Sequence, residues 1–475
     1  MRHDRPRKPP VEVLVDKLDA DGVATGLDAK GRRWTLRGAI PGSRVLAGGK
    51  PKGGVVLGVV EPAADEVAPG CAQFGTCGGC QLQPLPLARQ HALRMEALRE
   101  LLAPLGADET GLVAAAGDGY GYRNRLELSF GVQRYLSPSE QAAERAGATI
   151  ERAGQFLGFH GAGRFDRVVE VPSCAIAHPE LNQVLGRVRH DVLTSPFPAW
   201  SPREQAGFWR HLGLRRGDDG VLVLVYTALP NEEHEAWLRE AAPRWGAAAV
   251  LWYTTDRVSD AAVGELHAVL AGTPRLDVSL GGAALELAPL AFFQVNPTGA
   301  ERMVQVLAAE LGQGALLLDL YCGVGALGLA RAPGFSRVAG VDLVEEGIVA
   351  AMDNARRLGV DADYRAGRAE RVLPQLLADH GLGTGRRAGR LAVLVDPPRA
   401  GLHPEALRPL LTLDADVLVY VACKATSLLR DGLALLAAGW RCTRWTAVDL
   451  FPHTAHVEVV ARFERASATL ALETP

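Results

Sequence analysis

The chain has 475 residues, 48% of them hydrophobic and 22% charged. That length and balance suit two or three domains with real cores and exclude a disordered chain. No apolar run approaches the ~20 residues that span a bilayer, and the basic, proline-rich first ten residues contain no apolar stretch of the secretory kind, so no membrane partner and a cytoplasmic location are expected. Net charge is −3, but residues 1–60 carry twelve Lys/Arg against six acids, leaving the rest of the chain at −9. A basic module on an acidic body is expected to meet a polyanion, although a solvated basic tail gives the same count.

Within 1–62 the runs VEVLVDKL, RRWTLRGAI, SRVLAGG and GVVLGVV alternate with glycine-rich turns, the pattern of a small oligonucleotide-binding (OB-like) β-barrel. Residues 61–70 have linker composition. Cys71, Cys77 and Cys80 follow closely, with Cys174 further on, among seven cysteines in all. An odd count in a cytoplasmic setting argues against a disulfide framework; clustered thiols there bind metal, zinc or iron–sulfur, or do chemistry. A helix is predicted from Pro86 to about Leu105. The stretch 63–288 reads as a central α+β domain, with a helix near 232–241 and strands near 221–227 and 248–254. YRNRLELSF offers Arg123 and Arg125 as candidate phosphate contacts, or as ordinary surface arginines.

From 289 the chain alternates apolar strands with helices: LLLDLYCGVG, RVAGVDL, LAVLVDPPR and VLVYVAC. That is the signature of a doubly wound, Rossmann-like α/β sheet, whose ligands sit beyond the carboxyl ends of the strands. Three features fall there. Gly323 and Gly325 let the backbone approach a ligand; Asp342 ends the next strand and suits ribose hydroxyls; Asp396 opens Asp-Pro-Pro-Arg. The turn lacks the dinucleotide glycine spacing, and the acid before it suits a cofactor with a cationic amino-acid end. S-adenosylmethionine is therefore favoured over a nicotinamide cofactor. Cys423 ends the strand VLVYVAC on the same side, as a nucleophile or as a small buried hydrophobe. Glu458 lies in the apolar terminal run HTAHVEVVARF, as a buried base with a raised pKa or as an outward-facing strand residue. The tail after about Ala466 is expected to fray.

Taken together, FFQVN (292–296), DLYCGVG (319–325), VDPPRAGL (395–402), YVAC (420–423) and DLFPHTAHVEVV (449–460) resemble the RNA uridine-5 methyltransferases, the group that makes 5-methyluridine in 23S ribosomal RNA and in the tRNA T-loop. The resemblance covers nearly the whole chain. It implies an N-terminal TRAM barrel that binds RNA, a central domain with an iron–sulfur cluster, and a C-terminal class I methyltransferase domain (289–475). It assigns Cys423 as nucleophile at uracil carbon 6 and Glu458 as the base that takes the carbon-5 proton. Gln294, Tyr321, Gly323, Gly325, Asp342 and Asp396 would line the cofactor site, and Phe292 would stack on an extruded base. Cys71, Cys77, Cys80 and Cys174 would hold a [4Fe–4S] cluster. The implied partner is RNA, 23S favoured and tRNA the alternative, with a monomeric protein as default.

The chain departs from the family at Lys424-Ala425-Thr426-Ser427, where Asn-Pro-Ala-Thr is usual, and at Ala326 and Arg368. Those departures keep open a non-catalytic RNA-binding or assembly factor. A methyltransferase for exocyclic nitrogen is a further rival, but that reaction needs no cysteine.

Overall fold

The structure is a computed structural model, and it describes residues 9–114, 116–161, 164–257, 261–382 and 389–465. The predicted tail lies outside the described residues. Five strands, β1 (Val11–Leu18), β2 (Ala24–Asp28), β3 (Arg33–Arg37), β4 (Arg44–Gly48) and β5 (Gly54–Glu61), close into a barrel in the order β1-β2-β3-β5-β4. β2 is the strand that hydrophobic runs do not reveal: ATGLD is short and half small or polar. Alternate residues Val13, Val15, Trp34, Leu36 and Val45 fill the barrel, and Leu82, Leu85 and Leu93 plug it from outside.

The predicted helix forms as Leu87–Leu102, continued by a tight turn to Leu105. Then β6 (Asp108–Val113) leaves the central stretch and pairs parallel with the far edge of the C-terminal sheet. The C-terminal sheet thus takes chain from both sides of residue 289, and Met95, Leu98, Leu102 and Leu105 share one of its cores. Period-based reading cannot see this, because β6 (DETGLV) is polar at its start.

β7 (Arg125–Gln133), β8 (Ala153–Gly161), β9 (Arg164–Glu170), β10 (Trp209–Gly217), β11 (Gly220–Thr227), β12 (Ala249–Thr254) and β13 (Glu265–Gly272) form a seven-stranded sheet in the order β13-β12-β11-β10-β7-β8-β9. A hairpin, β14 (Leu276–Leu280) with β15 (Ala283–Leu287), bridges to the last sheet. Leu222, Leu224 and Leu251 of the seven-stranded sheet share one hydrophobic core with Leu317, Val338 and Ala392 of the C-terminal sheet.

That last sheet contains β16 (Gly314–Leu320), β17 (Phe335–Asp342), β18 (Ala362–Ala366), β19 (Leu391–Val395), β20 (Val417–Ala422), β21 (Trp440–Val448) and β22 (Glu458–Arg465). The order is β18-β17-β16-β19-β20-β22-β21-β6, parallel from β18 to β20, with β22 reversed. Fully buried runs such as LAVLV and VLVYVA are what a sheet covered on both faces requires. Among the described residues, no helix is long and apolar enough to cross a membrane.

Candidate active site

The carboxyl ends of β16, β17, β19 and β20 converge, and each delivers one polar residue. Asp319 lies at the end of β16, fully buried, its carboxylate accepting from Gly328 N at 3.1 Å. Burial, with Asp396 and Asp342 nearby, pushes its carboxyl up. Asp342 ends β17; its two carboxylate oxygens accept from Gly323 N and Val344 N, each at 2.9 Å. The carboxylate that sequence reading offers to a ribose thus also braces the glycine turn. Within that turn Tyr321 has φ +62°, a left-handed conformation that costs a non-glycine residue on the order of 1–2 kcal/mol. Gly323, at φ +55°, faces open space where a side chain would point, whereas a side chain at Gly325 would meet Tyr364 at 3.1 Å. Open space at Gly323 beside a carboxylate fits a cofactor that must be approached closely.

Cys423 follows β20 directly, and Glu458 begins β22. The antiparallel register pairs Ala422 with Val459, so the next step of the ladder brings Cys423 opposite Glu458. Glu458 is buried, and its Oε2 has no hydrogen-bond partner. Burial and the neighbouring Asp396 push its carboxyl up to about 8, against the opposing pull of Arg399. Burial alone raises Asp396 to about 7. Cys423 is half-buried; burial, then Glu458 and Asp396, push its thiol up to about 11. Two carboxyls and a thiol thus lie together where burial favours their protonated forms, and the positive charge of Arg399 opposes that shift at Cys423 and Glu458.

The wall of the Cys423 cleft includes a residue that strand patterns give no reason to seek. It is formed by Arg399, Lys424, Ala425, Ala455 and His456, and by Ala20 and Asp21 from the turn between β1 and β2 of the barrel. Lys424 Nζ lies 3.9 Å from Asp21 Oδ1. A Cβ on Gly22 would meet Ala455 O at 2.2 Å, so only glycine lets the barrel turn seat this closely. Lys424 was visible as a departure from the family pattern; Asp21 carried no signal, since it is distant in sequence.

The remaining candidates separate. Gln294 is half-buried, its carbonyl accepting from Asn124 Nδ2 at 3.1 Å, and Phe292 is 67% exposed. Arg123 does not stand free on the surface: its Nε donates to Arg125 O at 2.8 Å, and it lines the cysteine cavity. Arg125 pairs with Glu127. Cys71, Cys77, Cys80 and Cys174 line one cavity of about 260 Å³ together with Arg123 and Gln83. Burial raises the thiols of Cys77, Cys80 and Cys174, and the mutual repulsion of the group adds to it. Among the described residues, no three His, Cys, Asp or Glu side chains are grouped closely enough to hold a single metal ion.

Residues 388–465 match the family model of tRNA (uracil-5-)-methyltransferases. An uncharacterized RNA methyltransferase of Chlorobaculum tepidum is 31% identical, over 86% of this chain and 85% of its own length. Another, from Caldanaerobacter subterraneus subsp. tengcongensis, is 29% identical over 96% of this chain and 98% of its own. In fold, the chain is similar to the Pyrococcus abyssi tRNA (uracil-54, C5)-methyltransferase solved with S-adenosyl-L-homocysteine, with a TM-score of 0.73, 24% identity, and coverage of 96% of this chain and 100% of that one. The 31% identical relative, together with the family-model match, shows that the chain belongs to the S-adenosylmethionine-dependent RNA uracil-5-methyltransferase family.

Proposed function

We propose that the protein methylates carbon 5 of a uridine in 23S ribosomal RNA, with Cys423 as covalent nucleophile and Glu458 as base. The observation that carries this reading is the Cys423–Glu458 juxtaposition, with a buried carboxylate oxygen left without a partner. Carbon 5 of uracil is a weak nucleophile. Addition of the Cys423 thiolate to carbon 6 creates an enolate whose carbon 5 can attack an electrophilic methyl. S-adenosylmethionine, when bound, supplies that methyl; Gly323, Gly325, Asp342, Gln294, Tyr321 and Asp396 would hold it. Glu458 then takes the carbon-5 proton, the C6–S bond breaks, and the cysteine leaves as thiolate. A carboxyl raised to about 8 is a far stronger base than an exposed one, which suits removal of a carbon-bound proton near neutral pH.

The four cysteines would hold a [4Fe–4S] cluster whose role is to organise the central segment. The exposed Phe292 would stack on the flipped base, and the basic barrel would track the phosphate backbone. A second reading keeps the chemistry and changes the substrate to the tRNA T-loop; the family model matched at 388–465 favours it. Incubation with methyl-labelled S-adenosylmethionine and separate 23S and tRNA transcripts, followed by digestion to nucleosides, decides between them. Labelled 5-methyluridine from the 23S transcript is expected; label from tRNA alone would move the substrate, and label in neither RNA would overturn the enzymatic reading.

A further inference from the structure

The loop 449–457, between β21 and β22, delivers Glu458 to the site, and it is pinned at one residue. His453 is buried and adopts φ +66°, a left-handed conformation for a non-glycine residue. Its N–H donates to Gln90 Oε1 at 3.0 Å. Its carbonyl accepts from Gln81 N and Leu82 N at 3.0 and 2.9 Å. Gln90 Nε2 lies 3.1 Å from Nδ1 and the Asp118 carbonyl 3.0 Å from Nε2, an arrangement that suits the neutral ring donating from Nε2. Its face stacks on Tyr120, centroids 4.3 Å apart.

Two of these contacts, through Tyr120 and Gln81, lead back to the cysteine-bearing segment. The Tyr120 hydroxyl accepts from Gly70 N at 3.1 Å, one residue before Cys71. Gln81 follows Cys80, and its side chain accepts from Ala455 N at 3.0 Å. Cys71 N in turn donates to Gln83 Oε1 at 3.1 Å. Strain of this kind persists only where the surroundings over-determine it, and here the surroundings are Gln81, Leu82 and Tyr120, beside or bonded to the cysteine-bearing segment, on one side and the loop to Glu458 on the other.

We infer that His453 is a positioning residue that holds Glu458 in register for carbon-5 deprotonation and makes that register depend on the order of the Cys71–Cys80 segment. The inference rests on the proposed roles of Cys423 and Glu458. It singles out one step: addition of Cys423 and methyl transfer do not use Glu458, whereas release of the methylated base does. A displacement of about 1 Å in a positioned group can cost on the order of 100-fold.

The test compares Glu458→Gln, His453→Gly (which keeps the left-handed backbone and loses the ring), His453→Gln and Tyr120→Leu with the unmodified holoenzyme. Each is mixed with the substrate RNA and methyl-labelled S-adenosylmethionine, and label is followed both in released RNA and in a denaturation-stable protein–RNA adduct. In His453→Gly and Tyr120→Leu, turnover is expected to fall about tenfold to 100-fold while the methylated adduct accumulates as in Glu458→Gln. His453→Gln, which keeps a donor toward Asp118, should recover part of the turnover. A parallel fall of adduct and turnover, or unchanged turnover, overturns the inference. Should His453→Gly fail to fold, Tyr120→Leu alone decides by the same criteria. Absence of adduct in Glu458→Gln itself would overturn the assignment of the base, and this inference with it.

Discussion

Neutralising Glu458 should expose how strongly the pocket suppresses its own nucleophile. In the free protein, burial and then Glu458 and Asp396 raise the Cys423 thiol from the ordinary 9.0 to about 11. At pH 8 that lowers the thiolate fraction from about 9% to about 0.1%, roughly 100-fold. A more basic thiolate is also more nucleophilic, with a Brønsted slope of about 0.4–0.5, which returns about tenfold. Alkylation of Cys423 by iodoacetamide, read by mass spectrometry of its peptide, should therefore run about tenfold slower at pH 8 than that of an exposed thiol. Its rate should keep climbing to pH 10 without a plateau. Glu458→Gln removes one of the two negative neighbours, and each 1.36 kcal/mol of repulsion relieved gives tenfold more thiolate, so alkylation should accelerate in the variant. A plateau below pH 9, or no acceleration in Glu458→Gln, would refute the electrostatic coupling of the two residues.

Because the folded carboxyl of Glu458 sits near 8 rather than its ordinary 4.5, the folded state binds more protons there than the unfolded one. Its contribution to stability is lost as pH rises from about 4.5 through 8, so Glu458→Gln should be more stable than the parent at pH 8–9, by up to about 4–5 kcal/mol in denaturant titration; equal stability would place the carboxylate in water. Asp449 behaves oppositely. It is buried, with Arg94 Nη1 and His91 Nε2 at 2.9 and 2.8 Å, and the hydrogen bond from His91 and the charge of Arg94 outweigh burial to hold its carboxyl below the usual range. That stability is present above the unfolded value and lost as pH falls through the folded one. Asp449→Asn should cost about 3–5 kcal/mol at pH 7, as for other broken buried pairs. Gly323→Val puts a side chain into the open space beside Asp342 and forces a β-branched residue to φ +55°; calorimetry should show S-adenosylhomocysteine binding weakened at least about 100-fold, with RNA binding kept. Lys424→Asn removes an exposed pair with Asp21, so stability should change by less than about 1 kcal/mol, and any change in activity then reports substrate positioning.

What is legible in the sequence follows from periodicity. The runs LAVLV and VLVYVA are apolar throughout because both faces of the sheet are covered, so their carboxyl ends, and with them Asp396 and Cys423, were legible as a site. Glu458 stood out as a charge in an apolar run, and the ladder through Ala422 and Val459 explains why it lies across from Cys423. Long-range placement was not legible. β6 joins a sheet whose other strands begin some two hundred residues later, through backbone pairing that any sequence can make. Asp21 reaches the Cys423 cleft because the barrel turn docks on Ala455, a contact that leaves no pattern within either segment. Arg123, offered by the sequence as a phosphate contact or an ordinary surface arginine, lines the cysteine cavity; an arginine beside an asparagine in a strand-like run looks the same in either setting. His453 gave no sign of its left-handed backbone, since nothing in FPHT marks a positive φ.

The claim that stands or falls most directly is that Cys423 bonds to the RNA. Substituting 5-fluorouridine for uridine in the substrate places at carbon 5 an atom that a base cannot remove as a proton, so the adduct should persist after methyl transfer. Protease digestion and mass spectrometry should find the methylated fluorouracil adduct on the peptide containing Cys423, and Cys423→Ala should yield neither adduct nor 5-methyluridine. An adduct on another cysteine, or normal methylation by Cys423→Ala, would contradict the account.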